Sequence, residues 1–115
     1  MTAKLNNEYI PNKQDIVVID FNPSVGKEIR KRRPAVVISN QAYSKKTGFV
    51  AVCPITHGAK NLENILVKVN NKTIDGSVNP FQLHTFDFRK RNVQKIDTMD
   101  TLNFQKVVQT YQYIF

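Results

Sequence analysis

Hydrophobic residues along this chain come in short runs, and a helical spacing emerges only near the C-terminus. "DIVVIDF" (15–21), "PAVVIS" (34–39) and "FVAVCPIT" (49–56) have the length and β-branched enrichment of strands. "ENILVKV" (63–69) alternates Ile65, Val67 and Val69 with polar neighbours, which predicts a half-buried strand. "FQLHTFDF" (81–88) alternates too, with Phe81, Leu83 and Thr85 expected on one face, and "NVQKI" (92–96) reads as the last strand. The clusters "NPSVG", "SKKTG", "THGAKN" and "NNKTIDGS" carry the loop signals between them. From Asp100 the period changes. Leu102, Phe104, Val107, Val108, Tyr111 and Ile114 follow the i, i+3, i+4 spacing of a helix packed on one side. Asp100 is placed as its N-cap, and Met99 with Phe104 stands at hydrophobic-staple spacing. The pattern predicts a mainly β protein with a C-terminal α-helix, its strands forming a small, strongly curved antiparallel sheet or partial barrel.

Length and composition narrow the class. A chain of 115 residues with 41% apolar residues fits one domain, 1–115, with a single ordinary core. No apolar stretch approaches the roughly 20 residues that span a membrane. The start, "MTAKLNNEYIPNK", has no apolar segment of the signal-peptide kind. Cys53 is the one cysteine, so neither an internal disulfide nor a cysteine-based zinc site can form. These features predict a soluble protein of a reducing cytoplasm, with no membrane partner, no metal and no cofactor.

Charge points to a partner. The net charge is +8, and it is concentrated in two short segments. Residues 27–33 hold Lys27, Arg30, Lys31, Arg32 and Arg33 against Glu28, while residues 89–95 hold Arg89, Lys90, Arg91 and Lys95 with no acid. Brought together by the fold, they would form a surface suited to a polyanion. Left apart, they are ordinary solvated charge.

Several chemistries are excluded at once. "NPSVGK" ends in Gly-Lys, but the glycine that a phosphate-binding loop needs five positions before Gly26 is Phe21. His57 and His84 could form an acid–base pair, but nothing in the sequence places them together, and each is better read as a partly exposed polar residue beside a strand. Arg33 differs from the other basic residues because Pro34 follows it. Proline biases the preceding residue toward extended backbone, so Arg33 is expected to project from a fixed position where a strand begins, with Arg30 to Arg32 in the loop. A guanidinium held in this way suits bidentate phosphate recognition. Tyr43, Phe81 and Phe88 could stack on unpaired bases, although core positions are the expectation for all three.

These stretches resemble the MazF/PemK family of toxin endoribonucleases almost end to end. "VVIDFNPSVGKEIRKRRPAVVIS" resembles the family's V-D-F-x-P-x-x-G-x-E-x-x-x-x-R-P-x-V-V-x-S signature, "PIT" (54–56) its second motif, and "GSVNPFQLHTFD" (76–87) its third, D-Q-x-[RK]-[ST]-[IV]-D. The resemblance implies an SH3-like partial barrel of the MazF/CcdB type with a C-terminal helix, forming a symmetric homodimer. It also implies metal-independent, sequence-selective cleavage of single-stranded RNA, including mRNA, by attack of a 2′-hydroxyl on its own phosphate. The products would be 2′,3′-cyclic phosphate and 5′-hydroxyl ends, and a cognate acidic antitoxin would neutralise the toxin. By motif position Arg33 and Thr56 are the implied catalytic residues, with Glu28 beside them. Lys27, Arg30 and Arg32 are expected to bind RNA from the first basic segment, and Arg89 from the second. His57, Gln82 and His84 complete the expected RNA-binding set. Two departures bear on sequence preference: Phe81 replaces the acid usual before the third-motif glutamine, and His84 replaces the expected basic residue.

The chemistry of the side chains separates their roles. Arginine stays protonated, so Arg33 is suited to neutralising the charge of a pentacoordinate transition state and not to acting as a base. Thr56 can hydrogen-bond a non-bridging oxygen. Glu28 is either the base for the 2′-hydroxyl or a salt-bridge partner that positions Arg33. Two other function classes compete with the nuclease. One is a non-catalytic gyrase-inhibiting toxin like CcdB, a group that depends on a tryptophan near its C-terminus, whereas this chain has no Trp and ends in "YIF". The other is a barrel that binds RNA without cutting it.

Overall fold

The first three strand runs are apolar at nearly every position because both faces of the sheet they form are covered. The structure, a computed structural model, describes residues 8–22, 31–57, 65–69, 71 and 73–114. Strand β1 is Asp15–Asn22, β2 Lys31–Val37 and β3 Phe49–Thr56. On one face, Ile16, Val36, Cys53 and Ile55 join Val67, Val69, Val78, Met99, Phe104 and Val107 in a buried cluster. On the other, Val17, Ile19, Ala35, Val37, Val50 and Val52 pack with Phe88 and Val93. Each strand alternates between two cores, so it reads as a continuous apolar run and not as in–out alternation.

All strand pairs are antiparallel. The order is β4 (Val67–Lys68), β5 (Ser77–Val78), β3, β2, β1, β7 (Gln94–Thr98), with β6 (His84–Asp87) also paired to β3. β3 is shared lengthwise: Phe49 to Val52 bond β6, while Ile55 and Thr56 bond β5. Between these stretches stands Pro54, which has no N–H to give to a ladder. Gly76 permits β5 to come close there. A Cβ at Gly76 would lie 2.7 Å from the Thr56 carbonyl oxygen and 2.9 Å from Ile55 Cγ2.

The C-terminal helix, α2 (Thr101–Tyr111), is capped as expected. The Asp100 side chain accepts from the Asn103 N–H. Phe104 and Val107 are buried against the sheet with Met99, and Val108 and Tyr111 pack partly beside them. Leu102 departs from the predicted apolar stripe and is 67% exposed.

Other expectations are corrected. A short helix, α1 (Gln41–Thr47), fills the region read as a loop. Its Asn40 N-cap accepts from the Tyr43 N–H, and Gly48 closes it at φ +81°. Ser44 is its one buried residue, so no apolar period announces it. β2 begins at Lys31, which puts Arg32 in a strand and not in the loop. Among the described residues of 63–69, strand pairing is confined to Val67–Lys68. β7 starts two residues later than predicted, because Arg89 to Asn92 form a turn with Asn92 at φ +54°. Tyr43 and Phe81 are exposed, whereas Phe88 is buried as expected.

Candidate functional site

The register of β2 against β3 brings the first two motifs together. Ala35 pairs with Pro54, Val36 with Cys53 and Val37 with Val52. Continued two residues, this register sets Arg33 opposite Thr56. Directly opposed residues in an antiparallel pair share a face. Arg33 and Thr56 therefore share the face of Ala35 and Pro54, at the end of β3 that pairs with β5. Arg33 is exposed and Thr56 half-buried. Lys27, Glu28 and Arg30 lie outside the described residues.

The described arginines are not alike. Arg32 Nη1 donates to Asp20 Oδ1 at 2.9 Å, and its Nη2 donates to Asn92 O at 2.6 Å and Gln94 Oε1 at 3.1 Å. Arg89 pairs with Glu8 and lies over the Phe88 ring. Arg91 donates from Nη1 to Phe21 O at 2.5 Å and Asp20 O at 3.2 Å, and its guanidinium stands 4.6 Å above the Phe86 ring. Among the described residues, no hydrogen bond or ion pair holds Arg33. Among the described residues, then, nothing competes for the donors of the arginine singled out by its proline neighbour.

The described end of the first basic segment meets the second. Arg32 bonds Asn92 and Gln94, so the start of β2 lies against the turn after β6. Asp20 anchors this junction from beneath. It is 2% exposed and accepts from Arg32 and, at 2.7 Å through Oδ2, from Asn92.

An aromatic cluster lies on the opposite face of β2 from Arg32, the face of Arg33. β6 pairs Val52 with His84 and Val50 with Phe86, so both rings share the face of Arg33. Of the residues expected to share the other face, only Leu83 is partly buried. Leu83 packs against the first core, Thr85 is exposed, and β6 spans only His84–Asp87. His84 and Phe86 are stacked, with centroids 5.8 Å apart and an interplanar angle of 6°. Phe21 meets both rings edge-on, at 5.5 Å and 5.1 Å. Gln82 and His57 are exposed beside these elements. Phe21 and Phe86 join the site without a role expected from the sequence, and Arg91, expected only as one cation of the second basic segment, takes a specific place beside them. The alternation of His84 with Phe86 is the available signal for Phe86.

Two site types can be set aside among the described residues. Cys53 is buried, and burial pushes its thiol up to about 12, so it remains a protonated, poor nucleophile near neutral pH. No three His, Cys, Asp or Glu side chains gather as a metal-binding group among the described residues. No described helix is long and apolar enough to cross a membrane.

The chain is similar to the endoribonuclease toxin MazF of Escherichia coli (strain K12), with 31% identity over 93 residues, 81% of this chain and 83% of the relative. It is similar to the crystal structure of MazF (Form-I) from Deinococcus radiodurans, with TM-score 0.80, 27% identity, and coverage of 93% of this chain and 97% of that one. MazE-MazF (Form-II) from the same organism gives TM-score 0.83 and 27% identity, covering 93% and 96%. The mainly β sheet with its C-terminal helix is the architecture of these structures. With residues 12–115 matching the family described as "PemK-like, MazF-like toxin of type II toxin-antitoxin system", the chain belongs to that toxin family.

Proposed function

We propose that this toxin is a sequence-selective endoribonuclease that cuts single-stranded RNA without a metal ion. The observation that supports the reading is the β2–β3 register, which, continued two residues, sets Arg33 opposite Thr56 on the face that carries the exposed His84 ring. The RNA 2′-oxygen attacks the adjacent phosphorus and loses its proton, the P–O5′ bond breaks, and the departing 5′-oxygen takes up a proton. The products are a 2′,3′-cyclic phosphate and a 5′-hydroxyl. Arg33 neutralises the charge that builds on the phosphoryl oxygens, and Thr56 donates its hydroxyl to one of them. Glu28, five positions before Arg33 in the sequence, is the carboxylate that the family resemblance supplies, either as base or as the group that orients Arg33. An acidic antitoxin segment would occupy the same basic face, and the working toxin would be a homodimer.

Incubation with long mixed-sequence RNA in excess EDTA should give discrete fragments ending in 2′,3′-cyclic phosphate and 5′-hydroxyl groups. A substrate lacking the 2′-hydroxyl on the nucleotide 5′ of the scissile bond should remain whole. Undiminished cutting of that substrate would eliminate the mechanism, and RNA binding with no product at all would favour the non-cleaving barrel.

Affinity for the uncleavable RNA should fall steeply with salt. Each neutralised phosphate adds about −0.7 to the slope of log K against log salt for a single strand. The contributors expected from the described residues are Arg33 and the cations of 89–95. An affinity indifferent to ionic strength would reject the basic face as the RNA surface.

A further inference from the structure

We propose that the exposed ring face of His84 is a stacking site for one unpaired base of the RNA, and that Arg91 is the positioning residue that holds this platform in place. The proposal rests on RNA being the ligand. Its test separates the two failures.

The geometry begins at β1. Pairing with β2 shifts between Asp20 and Asn22, so Phe21 is the extra residue of a β-bulge. A bulge re-aims its side chain out of the regular alternation and must be held, because it interrupts the ladder. Arg91 holds this one from two sides. Its guanidinium donates to the carbonyls of Asp20 and Phe21 while lying 4.6 Å over Phe86, and its own carbonyl accepts the Asp20 N–H at 2.9 Å. One side chain thus locks the β1 bulge to β6, where Phe21 stands nearly perpendicular to both His84 and Phe86.

The two rings of the stack differ in exposure: Phe86 is half-buried, whereas His84 is exposed. Phe86 and His84 stand opposite Val50 and Val52, so the rings follow one another along β3. His84 is therefore the member of the stack nearer in register to Pro54 and Thr56. Thr56 is four residues beyond Val52, roughly 13 Å at strand rise. Among the described residues, no hydrogen bond uses the His84 imidazole. A flat, exposed ring already aligned with its neighbour loses little freedom when a base covers it, and base–aromatic stacking is the common means of holding single strands. Gln82, exposed and two residues before His84, offers an amide to the edge of the stacked base.

The experiment uses the mapped cleavage sequence, remade with a 2′-deoxy nucleotide at the scissile position. 2-Aminopurine is then placed in turn at each nucleotide flanking the cut. Wild-type protein should quench one position. His84→Ala should abolish that quench and weaken binding about 5- to 150-fold, while His84→Phe should retain it. Arg91→Lys keeps the charge but not the planar fork, and should lose the quench at that same position with His84 intact. A merely structural role for Arg91 predicts a lower melting temperature with the quench retained in the folded fraction. Binding and cutting with no quenched position, or His84→Ala retaining the quench, would overturn the platform while leaving the nuclease reading in place. Failure of wild-type protein to bind RNA would overturn both.

Discussion

Arg33→Ala and Arg33→Lys are each expected to slow single-turnover cleavage at saturating RNA by about 100- to 1000-fold. The figure is that of losing one well-placed donor to a transition-state oxyanion, roughly 3–4 kcal/mol. Lysine should fare little better than alanine, because it offers a point charge where a planar fork is needed. The structure sharpens the contrast with neighbouring cations. Arg32, one residue earlier, points to the other side of β2 and is engaged by Asp20, Asn92 and Gln94. Arg89 is paired with Glu8, at the surface. Arg89→Ala should therefore leave the saturated rate within several-fold and affect mainly affinity, an effect that fades as salt rises. Saturated rates within several-fold of wild type for both Arg33 variants would reduce the residue to one more surface charge. The proposal that it meets the scissile phosphate would fail with it.

How far the sequence alone could reach is clear from the two neighbouring arginines. Pro34 told that Arg33 stands in extended backbone, and the register made it face Thr56. Nothing local told that Arg32 is spoken for. Its partners Asp20, Asn92 and Gln94 are 12, 60 and 62 residues away in the chain. The same limit hid the aromatic cluster, since Phe21 and Phe86 belong to different motifs and meet only through sheet closure. Helix α1 was obscured for another reason. It buries only Ser44, and its signals were the caps Asn40 and Gly48, which also suit a loop. By contrast α2 was legible in detail, because a cap, a staple and a buried stripe all agree there. Leu102 is the exception, apolar in sequence and solvent-facing in the fold.

Arg32→Ala is expected to be a stability variant before it is a binding variant. Asp20 is 2% exposed, and its carboxylate accepts from Arg32 at 2.9 Å. Removing that guanidinium takes one charge-assisted bond from a buried carboxylate that keeps the Asn92 amide among its donors. Breaking a buried pair from one side costs about 3–5 kcal/mol in general. The Arg32 side chain is 32% exposed, so water reaches part of the pair and the lower end applies. Asp20→Ala leaves a partly solvated guanidinium behind, a smaller loss of about 2–3 kcal/mol. For a chain of this length such losses lower the melting temperature by roughly 6–15 °C. The double variant should lose less than the sum of the two, with a coupling of about 1–3 kcal/mol, since each single change already breaks the bond that the two side chains share. Asp20→Asn should fall between, because its amide can still accept from Arg32 but turns donors toward the Asn92 amide. Thermal melts of the four variants at one pH and salt decide the matter. Unchanged melting temperatures would mean that Arg32 is held no more firmly than a surface cation. Its expected place among the RNA contacts would then be open again.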